Sequence, residues 1–268
     1  MIKEELFELY FPYPNLDKRL VRVYVPEHEN GETLPVIYMT DGQNLFDENE
    51  RQFGCWHTRE SIKAEKAQSG NSAIIVGIHN DCGPMQRTNE LTPESIGDFY
   101  FPKEMPEELK KGFIPQGEIF DDFLINSVIP EIESRFPVKK GRNNTAVCGS
   151  SSGGLQAFFT ALSHPEKICA AGVFSPNFMI YYKEDLARWI QSKVTDPAPF
   201  LYIYSGGGDE LEKHIMGSVD ETYDVLMDCY PMDKMTEVIL PEQRHHESAW
   251  ESIFKDFLHT FLIRGNEF

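Results

Sequence analysis

Gly149-Ser150-Ser151-Ser152-Gly153 interrupts an apolar run, and the residues that follow, Gly154-Leu155-Gln156-Ala157-Phe158, read as the start of a helix. A serine set between glycines in this way suits a tight strand-to-helix turn, strained at Ser151 and tolerated because the flanking glycines let the neighbouring backbone adapt. Such a turn lifts the Ser151 hydroxyl out of a sheet, where it can attack an acyl carbon. A serine hydroxyl is a weak nucleophile and needs a base, and the base needs an acid to orient it. Where this turn serves acyl transfer, an acid and then a histidine follow in chain order, at the carboxyl ends of later strands. Ser205-Gly206-Gly207-Gly208-Asp209-Glu210 follows an apolar strand, and Asp209 is the expected acid, with Glu210 in reserve. An aspartate there also suits a helix N-cap. Pro241-Glu242-Gln243-Arg244-His245-His246-Glu247 follows the last strand, and His245 is the expected base toward Ser151 and acid toward the leaving group. Paired histidines also invite a metal, but no Cys or His cluster has ligand spacing, so neither metal nor cofactor is expected.

Acyl transfer builds negative charge on the carbonyl oxygen, and two backbone N–H groups must already point at it. The residue after the nucleophile, Ser152, supplies one, and the loop Tyr38-Met39-Thr40-Asp41-Gly42-Gln43-Asn44-Leu45-Phe46-Asp47 supplies the other, expected at Gln43. The spacing of Asp41, Asn44 and Asp47 does not match a calcium-binding loop of the EF-hand type.

These residues require a sheet to carry them. Strands read at 6–10, 19–25, 35–39, 73–78, 145–148, 170–174, 200–204 and 238–240, and helices at 118–136, 155–162, 184–191, 210–229 and 247–262. Apolar strands alternating with helices make an α/β protein with a mainly parallel central sheet, antiparallel N-terminal strands and helices on both faces. The whole chain, 1–268, reads as a single domain. Its exception is the segment 80–117, rich in Pro, Gly and aromatics such as Phe99, Tyr100, Phe101 and Phe113, and too long for an ordinary connection. It reads as an ordered lid or substrate wall. Five scattered cysteines argue against a disulfide framework, and Cys148 and Cys169 read as buried. A net charge of -18 disfavours nucleic acid and anionic membrane surfaces as partners. The start Met1-Ile2-Lys3-Glu4-Glu5 does not resemble a signal peptide and no apolar run reaches the length of a membrane helix, so a cytoplasmic location is expected.

Together these motifs resemble the putative-esterase family of α/β-hydrolases, which includes enterochelin esterases, feruloyl esterases, S-formylglutathione hydrolase and the antigen 85 mycolyltransferases. The likeness covers nearly the whole chain. Residues 38–47 are similar to the family's Tyr-x-x-Asp-Gly-Gln-Asn-Leu-Phe-Asp block, and Arg87-Thr88-Asn89-Glu90-Leu91-Thr92-Pro93 to its Arg-x-x-Glu-Tyr-Thr-Pro block. Phe174-Ser175-Pro176 closes a strand as the family's Phe-Ser-Pro does, and His245-His246-Glu247-Ser248-Ala249-Trp250 is similar to its His-Asn-Glu-x-x-Trp ending, which favours His245 over His246 as the base. The chain departs from the pattern at Ser152, His246 and Leu91, none of which removes a catalytic group. The resemblance implies the α/β-hydrolase fold and a small-molecule ester as substrate, with Arg87 and Glu90 of its block on the substrate side; Trp56, with Phe178, Tyr181, Tyr182 and the aromatics of 80–117, reads either as lining a substrate pocket or as packing.

Three readings follow. The first is a serine esterase that works through an acyl-enzyme, with an aromatic or sugar-linked acyl ester as the expected substrate. The second is an acyltransferase with the same triad. A non-catalytic binding protein is the third, and it predicts a damaged triad, whereas here all three positions are filled.

Overall fold

Strands that are apolar on both faces need cover above and below. The computed structural model describes residues 1–14, 16–47, 54–80 and 83–264, so Cys82 lies outside the described residues. Its sheet has eight strands in the order β1-β2-β4-β3-β5-β6-β7-β8. β1 (Glu5–Tyr13) and β2 (Leu16–Val25) pair antiparallel, and β2 joins β4 (Ile74–Ile78) in the same sense. The rest is parallel, through β3 (Val36–Met39), β5 (Thr145–Ser150), β6 (Ala170–Phe174), β7 (Phe200–Ser205) and β8 (Met235–Ile239). This is the α/β-hydrolase architecture expected from the sequence.

The pleat divides the core in two. Val36, Tyr38 and Val76 face one cluster, which includes Phe158 and Leu162 of α6 (Ser152–Ser163) and Leu226 of α8 (Glu210–Cys229). Ile37, Met39 and Ile75 face the other, covered by α9 (Glu247–Arg264). On α9, Phe254, Phe257 and Phe261 recur at helical spacing, and the Phe257 ring meets Phe174 edge-on at 6.1 Å and Tyr202 at 5.9 Å. Burial pushes the thiols of Cys148 and Cys169 up, the latter to about 12, so these two side chains pack as small apolar groups.

The structure differs from the sequence reading in a few elements. Helix α1 (Thr58–Ser69) escaped it because the buried face consists of Thr58, Ser61, Ile62 and Glu65, a stripe with a single large apolar residue. The helix expected over 118–136 is α4 (Gly117–Phe123), a π turn over Leu124–Val128, and α5 (Ile129–Arg135). Pro130, which lacks an N–H and crowds the preceding turn, accounts for the widening just before it. β8 begins three residues before its apolar core, because an edge strand exposes one face and needs no continuous apolar run. The segment 80–117 is ordered where described: it holds two short helices, and Phe99 pairs with Tyr181 and packs at 4.9 Å on Phe113. Among the described residues no helix is long and apolar enough to cross a membrane.

This strand order places the site. Chain leaving β3 crosses to β4 on one side, and the chain then returns over β3 to β5 on the other. At such a switch point the loops beyond the carboxyl ends of the strands splay apart and leave a crevice. The loops after β3 and β5 border it, and they carry Gln43 and Ser151. Truncating Phe257 to Ala should cost about 3–5 kcal/mol of stability, read as a lower urea midpoint at unchanged slope.

Candidate active site

Ser151 lies between the last residue of β5 and the first of α6, with φ 59° and ψ −124°, a region that non-glycine residues rarely occupy. Its N–H donates to the Phe174 carbonyl at 2.9 Å, and its own carbonyl accepts from Asn177 at 3.2 Å, so the strained turn is fastened to the end of β6. The flanking glycines are needed for contact rather than for dihedral freedom. A Cβ at Gly149 would stand 2.4 Å from the Gly153 carbonyl oxygen, and one at Gly153 would stand 2.1 Å from Thr40 Oγ1. The turn therefore packs directly on the loop after β3. Ser152 is the first residue of α6, where backbone N–H groups have no intrahelical acceptor and the helix dipole is positive.

The loop after β3 turns at Asp41, itself left-handed with φ 55°, into a 3-10 turn over Gly42–Asn44. The Asp41 carboxylate is buried and holds the surrounding groups together. Arg87 donates to it through Nε at 2.6 Å and Nη2 at 2.7 Å, and Asn80 Nδ2 donates at 2.7 Å. The same Arg87 Nη2 also donates to the Ser150 carbonyl at 3.2 Å, one residue before Ser151. Burial alone would raise the Asp41 carboxyl, but the Arg87 guanidinium and the Asn80 amide outweigh it and hold the group below the usual carboxylate range. Gln43 Nε2 donates to Asn80 Oδ1 at 2.6 Å, which fixes the side chain of the residue whose N–H is the expected oxyanion donor. Gly42 lies so close on Gly77 of β4 that a Cβ would stand 2.5 Å from the Gly77 carbonyl carbon.

His245 sits in the loop between β8 and α9, and its Nδ1 lies 2.6 Å from Glu212 Oε2. The carboxylate at the imidazole is thus Glu212, neither Asp209 nor Glu210. Asp209 caps α8, accepting from the Glu212 N–H at 2.9 Å with one oxygen and from the His245 backbone N–H at 2.9 Å with the other. Those backbone donors, Glu212 first, hold the Asp209 carboxyl below the usual range. Glu210 points to solvent and pairs with Lys213. Side chains on a helix lean back toward its N-terminus, so Glu212, on the first turn of α8, reaches over that turn. There it is fully buried and accepts also from Ser175 Oγ at 2.5 Å and the Gly206 N–H at 2.7 Å. The available signal was the spacing Asp209-x-x-Glu212, a cap followed three residues later by a glutamate. His246 is exposed, and its ring accepts from the Ser248 N–H at 3.2 Å at the start of α9, which leaves His245 as the inward histidine.

The three residues expected to touch substrate are engaged within the protein. Trp56 is 3% exposed and stacks on Phe174 at 5.6 Å in the cluster covered by α9. Glu90 forms a buried ion pair with Arg19, and Arg87 is bound to Asp41 and Ser150 as described. A tryptophan and a charged pair in a family block are visible in sequence, but which partner each side chain finds depends on the packed fold.

Glu247 opens α9 and accepts from Asn44 Nδ2 at 3.2 Å, linking the start of α9 to the loop after β3. Burial, with the Asp41 charge adding to it, pushes its carboxyl up to about 7. An unfolded glutamate titrates near ~4.3, so between that pH and about 7 the folded state holds a proton that the unfolded state has lost. Stability should therefore fall as pH rises through this window. Glu247→Gln should flatten the fall, so that unfolding free energies of variant and wild type, measured in urea, diverge in the variant's favour between pH 5 and pH 8.

Comparison with known proteins agrees with this fold. The chain is 23% identical over 216 residues, 78% of each chain, to "Uncharacterized protein YbbA" of Bacillus subtilis (strain 168). Siderophore hydrolase EstB from Aspergillus nidulans superposes with a TM-score of 0.71 at 18% identity, over 96% of this chain and 94% of that one. A ferulic acid esterase superposes with a TM-score of 0.67 at 16% identity, over 98% and 99% of the two chains. Matched by the Putative esterase family over residues 16–195, a span that includes both the Asp41 loop and the Ser151 turn, the chain belongs to that family and is a hydrolase of carboxylic esters.

Proposed function

We propose that the chain, acting as one α/β-hydrolase domain, cleaves its ester through an acyl-enzyme on Ser151, with His245 as base and Glu212 as the acid that orients it. The observation that carries the reading is the 2.6 Å pairing of the His245 ring with a fully buried carboxylate, in a loop at the same sheet end as the strained Ser151. With Nδ1–H donated to Glu212, the lone pair of Nε2 is free to accept the Ser151 proton. Ser151 Oγ then bonds to the carbonyl carbon and the carbonyl π pair moves to oxygen, where the N–H groups of Ser152 and Gln43 receive it. Collapse breaks the bond to the alcohol oxygen, which takes its proton from His245. Water, deprotonated by the same ring, attacks the acyl carbon; the bond to Ser151 Oγ breaks, Ser151 takes the proton back from His245, and the acid is released. Glu212 holds the ring in place and stabilises the imidazolium.

For the acyl group we favour an aromatic or sugar-linked ester. The segment 80–117 brings Phe99 against Tyr181, with Phe101 and Phe113 packed on Phe99, beside the turn after β6 that contacts Ser151 through Asn177. A wall of that composition suits an aromatic ring or the apolar face of a sugar. The likeness to a ferulic acid esterase points the same way.

Ser151→Ala should lose nearly all turnover of p-nitrophenyl acetate while its circular dichroism stays native; undiminished turnover would refute the mechanism. Glu212→Gln should lower kcat by roughly 10³–10⁴, the effect of removing the carboxylate that orients a catalytic histidine. Asp209→Asn should cost less than tenfold in rate, with a stability loss of ~1 kcal/mol at the cap. The reverse ranking would return the acid role to Asp209. A panel of p-nitrophenyl acetate, feruloyl and acetyl-sugar esters, ranked by kcat/KM, tests the substrate class.

A further inference from the structure

Ser175 directly follows β6 with φ 41°, a left-handed conformation that favours glycine, and it is fully buried. Its backbone N–H donates to the Tyr204 carbonyl at 2.6 Å, so the strained turn is locked to the neighbouring strand. Its hydroxyl lies between two partners. It donates to Glu212 Oε1 at 2.5 Å and accepts from the Trp250 indole N–H at 3.0 Å. Trp250 also presents its ring edge-on to His245, 4.9 Å between centroids. A serine kept where glycine is the unstrained choice implies that the hydroxyl matters more than the backbone.

Resting on the reading that Glu212 is the acid partner of His245, we infer that Ser175 is a positioning residue for catalysis, holding the rotamer and damping the basicity of Glu212 through a chain that runs from Trp250 through Ser175 and Glu212 to His245. The chemistry follows from the geometry. A carboxylate that shares its charge with a hydroxyl attracts the imidazolium proton less strongly than one that lacks it. The indole N–H polarises that hydroxyl and makes it a better donor. The Gly206 N–H on the same oxygen, Glu212 Oε1, fixes the plane of the carboxylate, so Oε2 alone faces the ring.

The test is Ser175→Gly, which relieves the left-handed backbone and removes only the hydroxyl. With p-nitrophenyl acetate, kcat should fall by roughly ten- to a hundredfold, the range for losing a partner that orients a reacting group, while KM stays within about twofold. The acid limb of the kcat/KM profile should move to higher pH by roughly half a unit or more, because the imidazolium is better stabilised. Trp250→Phe, which keeps the hydroxyl and removes the indole donor, should shift the limb in the same direction by less, and it serves if the glycine variant does not fold. A limb that stays in place in both variants, whatever happens to kcat, leaves Ser175 a merely structural residue and overturns the inference. Glu212→Gln separates the two levels. If that variant keeps full turnover, the acid assignment itself fails; if it is inactive while Ser175→Gly keeps both rate and limb, only the role of Ser175 fails.

Discussion

A carboxylate without exposure to water is the constraint on which the histidine side of this site depends. Removing such a charge from solvent costs several kcal/mol unless other dipoles replace the water. Glu212 meets that demand with Ser175 Oγ, the Gly206 N–H and His245 Nδ1, and these groups come from the end of β6, the loop after β7 and the loop after β8. None of the three loops can drift without leaving the charge short of a donor. The helix dipole at the start of α8 adds to the same balance, and Asp209 ties the histidine loop to that start through the His245 N–H. The left-handed backbone at Ser175 is a local cost accepted within this arrangement.

Asp41 plays the corresponding part on the other side of Ser151. It is buried, left-handed and held by Arg87 and Asn80, and through Arg87 it is coupled to the Ser150 carbonyl. The loop after β3 and the turn at Ser151 thus share one ion pair. Glu247 closes the circuit by linking Asn44 to the first turn of α9. Two buried charges, one on each side, hold a strained serine that no single element would stabilise.

Much of this was readable from composition and spacing. The strands β6 and β7 and the helices α8 and α9 stand close to where periodicity placed them, because each buries a long apolar face and little else could be made of it. α1 was not readable, since Thr58, Ser61 and Glu65 are buried by contacts made far away in sequence, Glu65 with His259 of α9. Among site residues, Ser151, His245 and the Gln43 loop occupy the positions their spacing implied at the carboxyl ends of β5, β8 and β3. Trp56, Arg87 and Glu90 each have a partner within the protein that was not readable, because a charge or an indole in a motif carries no mark of its partner.

The sequence by itself determined the α/β order, the turn at Ser151 and the succession of serine, acid region and histidine, all of which follow from local periodicity and chain order. The tertiary structure alone decided which carboxylate faces the histidine. Asp209, Glu210 and Glu212 lie within four residues of one another and are chemically alike, so composition cannot separate them. Helix geometry does: the cap position turns Asp209 to backbone donors, the next residue faces water, and the third leans back into the protein, where Ser175 and Gly206 from other strands complete its surroundings.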